Sequence, residues 1–354
     1  MFDEETVNAF SGGYRVSESG VNTLFGLPAV SNLKKIIAIP VSLSMSALVK
    51  KGGAVAWRGG NTVELPFEMS KLSNDWYDPI KLMTNIAIQR GWMNAPTILV
   101  EENLKYQLSL GYYSAFVDLL VQSFSLVNDI TLSTSEFMQI SGEIQDRIQG
   151  HHYEHETIAR KQGKEGNLLF YDASSKSFKN ETVSFEPFSM FLISENSLSP
   201  NQNFLNFRKS FKKFNDGNMM NRDPSSLGYP FVGIRNHLSV EEETYGRAME
   251  SFYSNDMESF VSIISQFSQS LGYNLGVLSD FQRTMAKLLE KYSVKTFIFN
   301  VSEHSGSLLV FADSQELSKI KDNAIRDYYN LVNRTIKFDE LQISNGSTTE
   351  SIRS

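Results

Sequence analysis

The chain has 354 residues, of which 41% are hydrophobic and 21% charged, a composition that excludes a long disordered protein, a collagen and a coiled-coil rod. With 33 basic against 40 acidic residues and a net charge of −7, it lacks the basic footprint of a non-specific nucleic-acid binder, but it leaves room for a local basic pocket that takes an anionic small molecule. There is no cysteine, so disulfides, thiolate catalysis and thiolate metal sites are impossible.

No apolar run reaches the roughly 18 residues of a membrane span. The acidic start MFDEETVNAF lacks the apolar stretch of a signal peptide. A cytoplasmic protein without membrane contact is the expectation, and the length suits two domains.

The first sixty-odd residues read as strands. Residues 36–49 (IIAIPVSLSMSALV) are β-branched and apolar, with Pro40 marking an edge or a bulge. AVAW and TVELPF flank Arg58-Gly59-Gly60-Asn61, a hairpin turn. A helix follows over 78–91, then a strand at 97–100. SLGYYSA leads into an apolar helix over 114–127. Ser133 and Glu136 form a capping box ahead of Phe137, Ile140, Ile144 and Ile148 at helical spacing. After GHHYEHE comes a strand at 168–171.

The second half begins with a strand at 188–193 and a basic helix over 204–214 carrying Arg208, Lys209, Lys212 and Lys213. MMNRDPSSLGYPFVGIRNH reads as a loop, after which Ser239 and Glu242 start a helix. Ser279 and Gln282 form another capping box. Paired strands at 296–299 and 308–311 precede a last helix through Ile320 and Ile325, and this β-α-α-β-β-α order suggests a ferredoxin-like domain. The polar tail SNGSTTESIRS from Ser344 reads as frayed.

Three segments resemble the motifs of the GHMP kinase superfamily, the galacto-, homoserine, mevalonate and phosphomevalonate kinases. Residues 11–30 lie on the first motif, APGKxxLxGEHxVxxGxPAx, with Gly13, Gly26, Pro28 and Ala29 matching, while Ser19, Gly20 and Val21 replace its Gly-Glu-His core. SLGYYSA stands for the phosphate loop PxxxGLGSSAA, and Tyr112 and Tyr113 occupy positions that need small residues if backbone N–H groups are to reach phosphate. NVSEHSG stands for the C-terminal glycine turn, with one glycine where the kinases have several, and Asn300 stands in place of the Asp-x-Gly-Pro turn of the decarboxylases. The superfamily's catalytic aspartate falls near Glu156. IPVSLSMS resembles the Pro-x-x-Ser-Leu-Ser-x-Thr strand of mevalonate diphosphate decarboxylases.

The resemblance implies an α+β, GHMP-type two-domain fold: a ribosomal-protein-S5-like domain over 1–184, a ferredoxin-like domain over 185–340, and the tail 341–354. It implies an ATP-independent decarboxylase turning mevalonate 3,5-bisphosphate into isopentenyl phosphate, phosphate and CO₂ in isoprenoid biosynthesis, with no cofactor. Glu156 and Asp280 are the expected catalytic carboxylates. Ser42, Ser44, Ser114, Arg160, Lys161 and Arg283 are the expected contacts to the anionic substrate. The alternatives are a catalytically inactive GHMP-fold binding or regulatory protein and a divergent mevalonate or sugar kinase. His151, His152 and His155 lack the spacing of known zinc helices, so no metal site is expected. A homodimer is compatible with the sequence.

Overall fold

In the computed structural model, residues 2–26, 35–57, 60, 62–64, 72, 76–150, 152–196 and 199–353 are described. Pro28 and Ala29 of the first motif, Arg58, Gly59 and Asn61 of the hairpin turn, and His151 lie outside the described residues.

A short helix, α1 (Glu4–Asn8), leads into β1 (Tyr14–Phe25), which pairs antiparallel with β2 (Lys35–Lys51). The lower half of β2 then meets β5 (Pro96–Glu102), which follows β3 (Ala54–Trp57), β4 (Thr62–Glu64) and α2 (Asp78–Gln89). Its upper half meets β6 (Asn167–Asp172). Pro40 sits on β2 between these two partners, where its missing N–H breaks no ladder bond, and the β1–β2 register slips between Ser19 and Gly20 close by.

Three helices lie between β5 and β6 in the chain: α3 (Tyr112–Val127), α4 (Thr134–Gln149) and α5 (Glu154–Gln162). α3 is apolar on most sides because it packs on the sheet and against α2, α4 and α5 at once. The Ser133–Glu136 capping box starts α4, and Gly150, in the left-handed region, ends it.

After β6 comes β7 (Ser177–Thr182), and β8 (Ser189–Glu195) opens a second sheet. Helices α6 (Gln202–Asp216), α7 (Phe231–Tyr253), α8 (Met257–Leu275) and α9 (Asp280–Lys291) follow, then β9 (Phe297–Asn300), β10 (Ser307–Ala312), α10 (Ser314–Val332) and β11 (Ile336–Leu341). This sheet runs β11-β8-β10-β9, antiparallel throughout. One core joins the two halves: Leu24, Phe25 and Ile39 of the first sheet pack in the same cluster as Leu192, Phe260 and Phe311. Among the described residues no helix is long and apolar enough to cross a membrane.

Two expectations from sequence need correction. Ser239 does not start a helix: it lies inside α7, its hydroxyl donating back to the Asn236 carbonyl at 2.9 Å. Phe231, Ile234 and Leu238 share one face and bury against α6 and α8, so tertiary packing extends the helix past the serine signal. The tail is also not frayed. β12 (Ser347–Ser351) pairs with β1 at the edge of the first sheet. Gly346 lies so close to the Arg160 carbonyl that a Cβ there would collide with it. Exposed strand edges offer unpaired N–H and C=O groups, and even a polar segment is ordered by filling them.

Candidate binding cleft

A cavity of about 150 Å³ opens where the two sheets meet. Its walls are the end of β1, the first turn of α3, the first turn of α5, the middle of α8 and the turn after β9.

The start of α3 is built on Gly111, whose φ of 70° is left-handed and whose missing side chain offers no cap. The charge that comes to this turn arrives from α5. Glu156, 42 residues later in sequence, accepts a hydrogen bond from the Ser114 hydroxyl. A Cβ on Gly111 would stand 2.6 Å from Glu156 Oε2, so the carboxylate's seat requires glycine twice, for conformation and for space. A carboxylate at a helix N-terminus is favoured by the exposed N–H groups and the helix dipole. Withdrawal from water raises the Glu156 carboxyl above its usual range; the Arg160 charge and the Ser114 hydrogen bond pull it back in part, and Asp118 pushes it up.

Next to it, His155 is 2% exposed and sits 3.1 Å from Thr23 Oγ1 through Nε2. Burial pushes it down to about 3, with the Arg160 and His152 charges adding to the effect, so the ring is neutral near pH 7. Burial likewise lowers His304 on the opposite wall. The Tyr112 ring lines the cavity while its hydroxyl donates to Glu102 at 2.6 Å. Ser109 reaches across the cleft to donate to Ser302 at 2.5 Å. Among the described lining residues the charged side chains are Glu156 and Glu303, and no lysine or arginine is present. Glu303 is paired with Arg208 at the rim.

The expected site residues separate into several places. Glu156 and Ser114 are brought together in the cleft, next to Tyr112 and Tyr113. Arg160 is not in the cleft wall. It is fully buried, its Nε donating to Asp118 Oδ2 at 2.7 Å, because Asp118, Ser141 and Thr157 form a polar pocket inside the α3–α4–α5 corner. Lys161 turns to Glu18 at 3.3 Å and lies over the Phe137 ring.

Ser42 and Ser44 line a separate, polar cavity beside the chain between β11 and β12, where Ser42 Oγ accepts from the Gln342 N–H at 3.2 Å. Asp280 points into solvent, 96% exposed, and pairs with Arg283 at 2.5 Å along the surface of α9. Its place is set by the local helix start, which aims it away from the cleft. Gly26 and Asn300 of the motifs line the cavity, whereas Gly13 packs against the Val49 carbonyl at the far end of β1. No cluster of metal-ligating side chains occurs among the described residues.

Thr23, Tyr153 and Glu303 line the cleft without having been singled out as site residues. Glu303 lies within NVSEHSG, so its motif pointed to it; Thr23 and Tyr153 carried no signal beyond lying near motif positions.

No protein-family model and no curated protein sequence matches the chain. Solved structures do. Lactococcus lactis galactokinase complexed with galactose is similar over 97% of this chain and 98% of its own, with a TM-score of 0.81 at 13% identity. L. major mevalonate kinase in complex with R-mevalonate is similar over 95% of this chain and 98% of its own, with a TM-score of 0.66 at 10% identity. Homoserine kinase from Cytophaga hutchinsonii is similar over 99% of both chains, with a TM-score of 0.60 at 10% identity. The chain therefore has the GHMP-type α+β fold.

Proposed function

We propose that this chain binds one small molecule in the cleft between its sheets and does so without a nucleotide, as a non-kinase on the GHMP-type fold. The observation that carries this reading is the seat of Glu156. Its carboxylate lies against Gly111 and Ser114, at the helix start where a phosphate would need to approach the first-turn N–H groups. A kinase must neutralise triphosphate charge, and the described walls supply two carboxylates and no lysine or arginine. Size points the same way: ligand sites for drug-sized molecules run to roughly 300–1,000 Å³, against about 150 Å³ here.

Calorimetric titration with ATP–Mg²⁺ tests the reading. The expected dissociation constant is weaker than about 1 mM; micromolar binding would overturn it.

A second reading is the ATP-independent decarboxylation of mevalonate 3,5-bisphosphate. What favours it is a cleft carboxyl with a raised protonation range beside a serine hydroxyl, in a fold shared with mevalonate kinases. What weighs against it is the charge of the walls, since two phosphates want cations. Assay of CO₂ release from mevalonate 3,5-bisphosphate decides between the readings: turnover would put the decarboxylase first.

A further inference from the structure

The acids at the cleft and behind it differ in their partners. Glu18 has Lys161 at 3.3 Å, Asp118 has Arg160 at 2.7 Å, and Glu303 has Arg208. Glu156 has the Ser114 hydroxyl and, among the described residues, no ion-pair partner. Arg160 follows it by one turn on α5, but its Nε is taken by Asp118 and neither terminal nitrogen makes a hydrogen bond. Among the described residues the cleft wall thus offers this carboxyl no paired base.

The walls that face this carboxylate are aromatic. Tyr106, Tyr112 and Tyr153 line the cavity with Phe25 and Phe267. The Tyr106 ring meets Tyr112 at 5.4 Å and 74° and His304 at 4.5 Å and 55°, so the three rings form a corner rather than a stack. The faces of such rings carry negative potential and attract cations, most strongly where water is excluded. Neutral His155 and His304 add no competing positive charge.

We propose that the ligand of this cleft is a small organic cation, an amine or quaternary ammonium held against the Tyr106–Tyr112 corner with Glu156 as its counter-ion. The inference rests on the reading of the cleft as a nucleotide-free binding site and names the ligand class for it. The volume sets the size: a cavity of about 150 Å³ holds a benzene-sized guest, so about six heavy atoms fit. An anion of the same size would meet a carboxylate and, among the described residues, find no base in the wall. Binding also has a proton signature. The charged groups that act on Glu156 are Arg160 and Asp118, with Tyr153 beside it. A cationic guest favours the ionised carboxylate, so the carboxyl O–H breaks, its electron pair stays on Glu156, and the proton leaves to buffer.

The test is calorimetry of the full chain with choline and with 3,3-dimethylbutan-1-ol, its neutral carbon isostere. Choline is expected to bind at least about tenfold tighter, with proton release that scales with the ionisation heat of the buffer. Glu156→Gln removes the counter-ion and should bring the two ligands level. Should that variant fail to fold, Tyr106→Leu leaves Glu156 in place and should lower the preference for choline severalfold.

Equal binding of the two ligands overturns the proposal. So does a choline preference that survives Glu156→Gln, tighter binding of inorganic phosphate than of choline, or no choline binding at all. An ATP–Mg²⁺ titration run alongside separates the two levels of inference. Micromolar nucleotide binding removes the nucleotide-free reading itself, whereas choline failure without nucleotide binding removes the cation assignment alone.

Discussion

Helices α9 and α3 each meet an acid at the first turn, and they do so in opposite ways. α9 is capped by its own neighbours: Ser279 Oγ accepts from the Gln282 N–H at 3.2 Å, Gln282 Oε1 accepts from the Ser279 N–H at 3.2 Å, and Asp280 stands in the first turn with 96% of its side chain exposed. α3 begins at a bare glycine and receives Glu156 from 42 residues away. The helix electrostatics are the same in both. In α9 they are satisfied in water, where they add a little stability. In α3 a carboxyl has been withdrawn from water to reach the turn, and its protonation range is raised as a result. The neighbouring arginines repeat the contrast, since Arg283 pairs with Asp280 on the surface and Arg160 pairs with Asp118 at zero exposure.

The largest expected effect lies in that last difference. Arg160→Met leaves Asp118 buried without its cation and should cost about 3–5 kcal/mol, as for other broken buried pairs. Arg283→Met removes half of an exposed pair and should cost at most about 1 kcal/mol. Denaturant titration of both variants checks this. Similar small losses would mean that Ser141 and Thr157 suffice to hold Asp118.

Gly111→Ala comes next. The left-handed backbone alone should cost about 1–3 kcal/mol, and the new Cβ would press on Glu156. Adding Glu156→Ala removes the second part, so the double variant should be more stable than the two single losses summed. Strict additivity would show that the carboxylate does not sit on this turn.

A smaller, pH-dependent effect concerns Glu156 itself. Its carboxyl is raised in the folded state, so the fold favours the neutral acid. Relative to Glu156→Gln, the wild type should hold its stability below the ordinary carboxyl value of 4.5 and lose ground as pH rises from there through the raised value. Melting curves across pH 4 to 8 would show the gap opening upward; a gap that opens toward acid would mean that the carboxylate is held charged.

The smallest effect is expected at Asp280. Asp280→Asn keeps the Ser279–Gln282 cap intact and should leave both melting and cleft binding unchanged within experimental scatter. Loss of ligand binding in this variant would place Asp280 at the site after all.

Much of the architecture was legible from local pattern. The capping boxes at Ser133 and Ser279 are formed as the sequence spells them, because both partners lie within one turn. Periodicity placed most of the strands and helices, though not the start of α7 or the strand β12. The site was legible in part. Gly111, Ser114 and Glu156 stood out through motif spacing, and the fold brings them together. Arg160 and Lys161 stood out as cations near them, yet a helix turns each side chain by about 100° from the last, and α5 aims these two at Asp118 and Glu18 in the interior. Asp280 looked identical in kind to Glu156, an acid near a helix start, and nothing local distinguishes the one that faces a cleft.

The sequence by itself determined most of the element types, the absence of any thiol chemistry and the bulky residues at the start of α3, since each is read from the residues themselves or from their near neighbours. Tertiary structure alone decided which charges are paired. Glu18 with Lys161, Asp118 with Arg160 and Ser114 with Glu156 are contacts between residues 42 to 143 positions apart. The same is true of the C-terminal strand that completes the first sheet. Whether a charge is solvated, paired or left facing a cavity depends on what packs around it, and that is a property of the assembled core rather than of any stretch of chain.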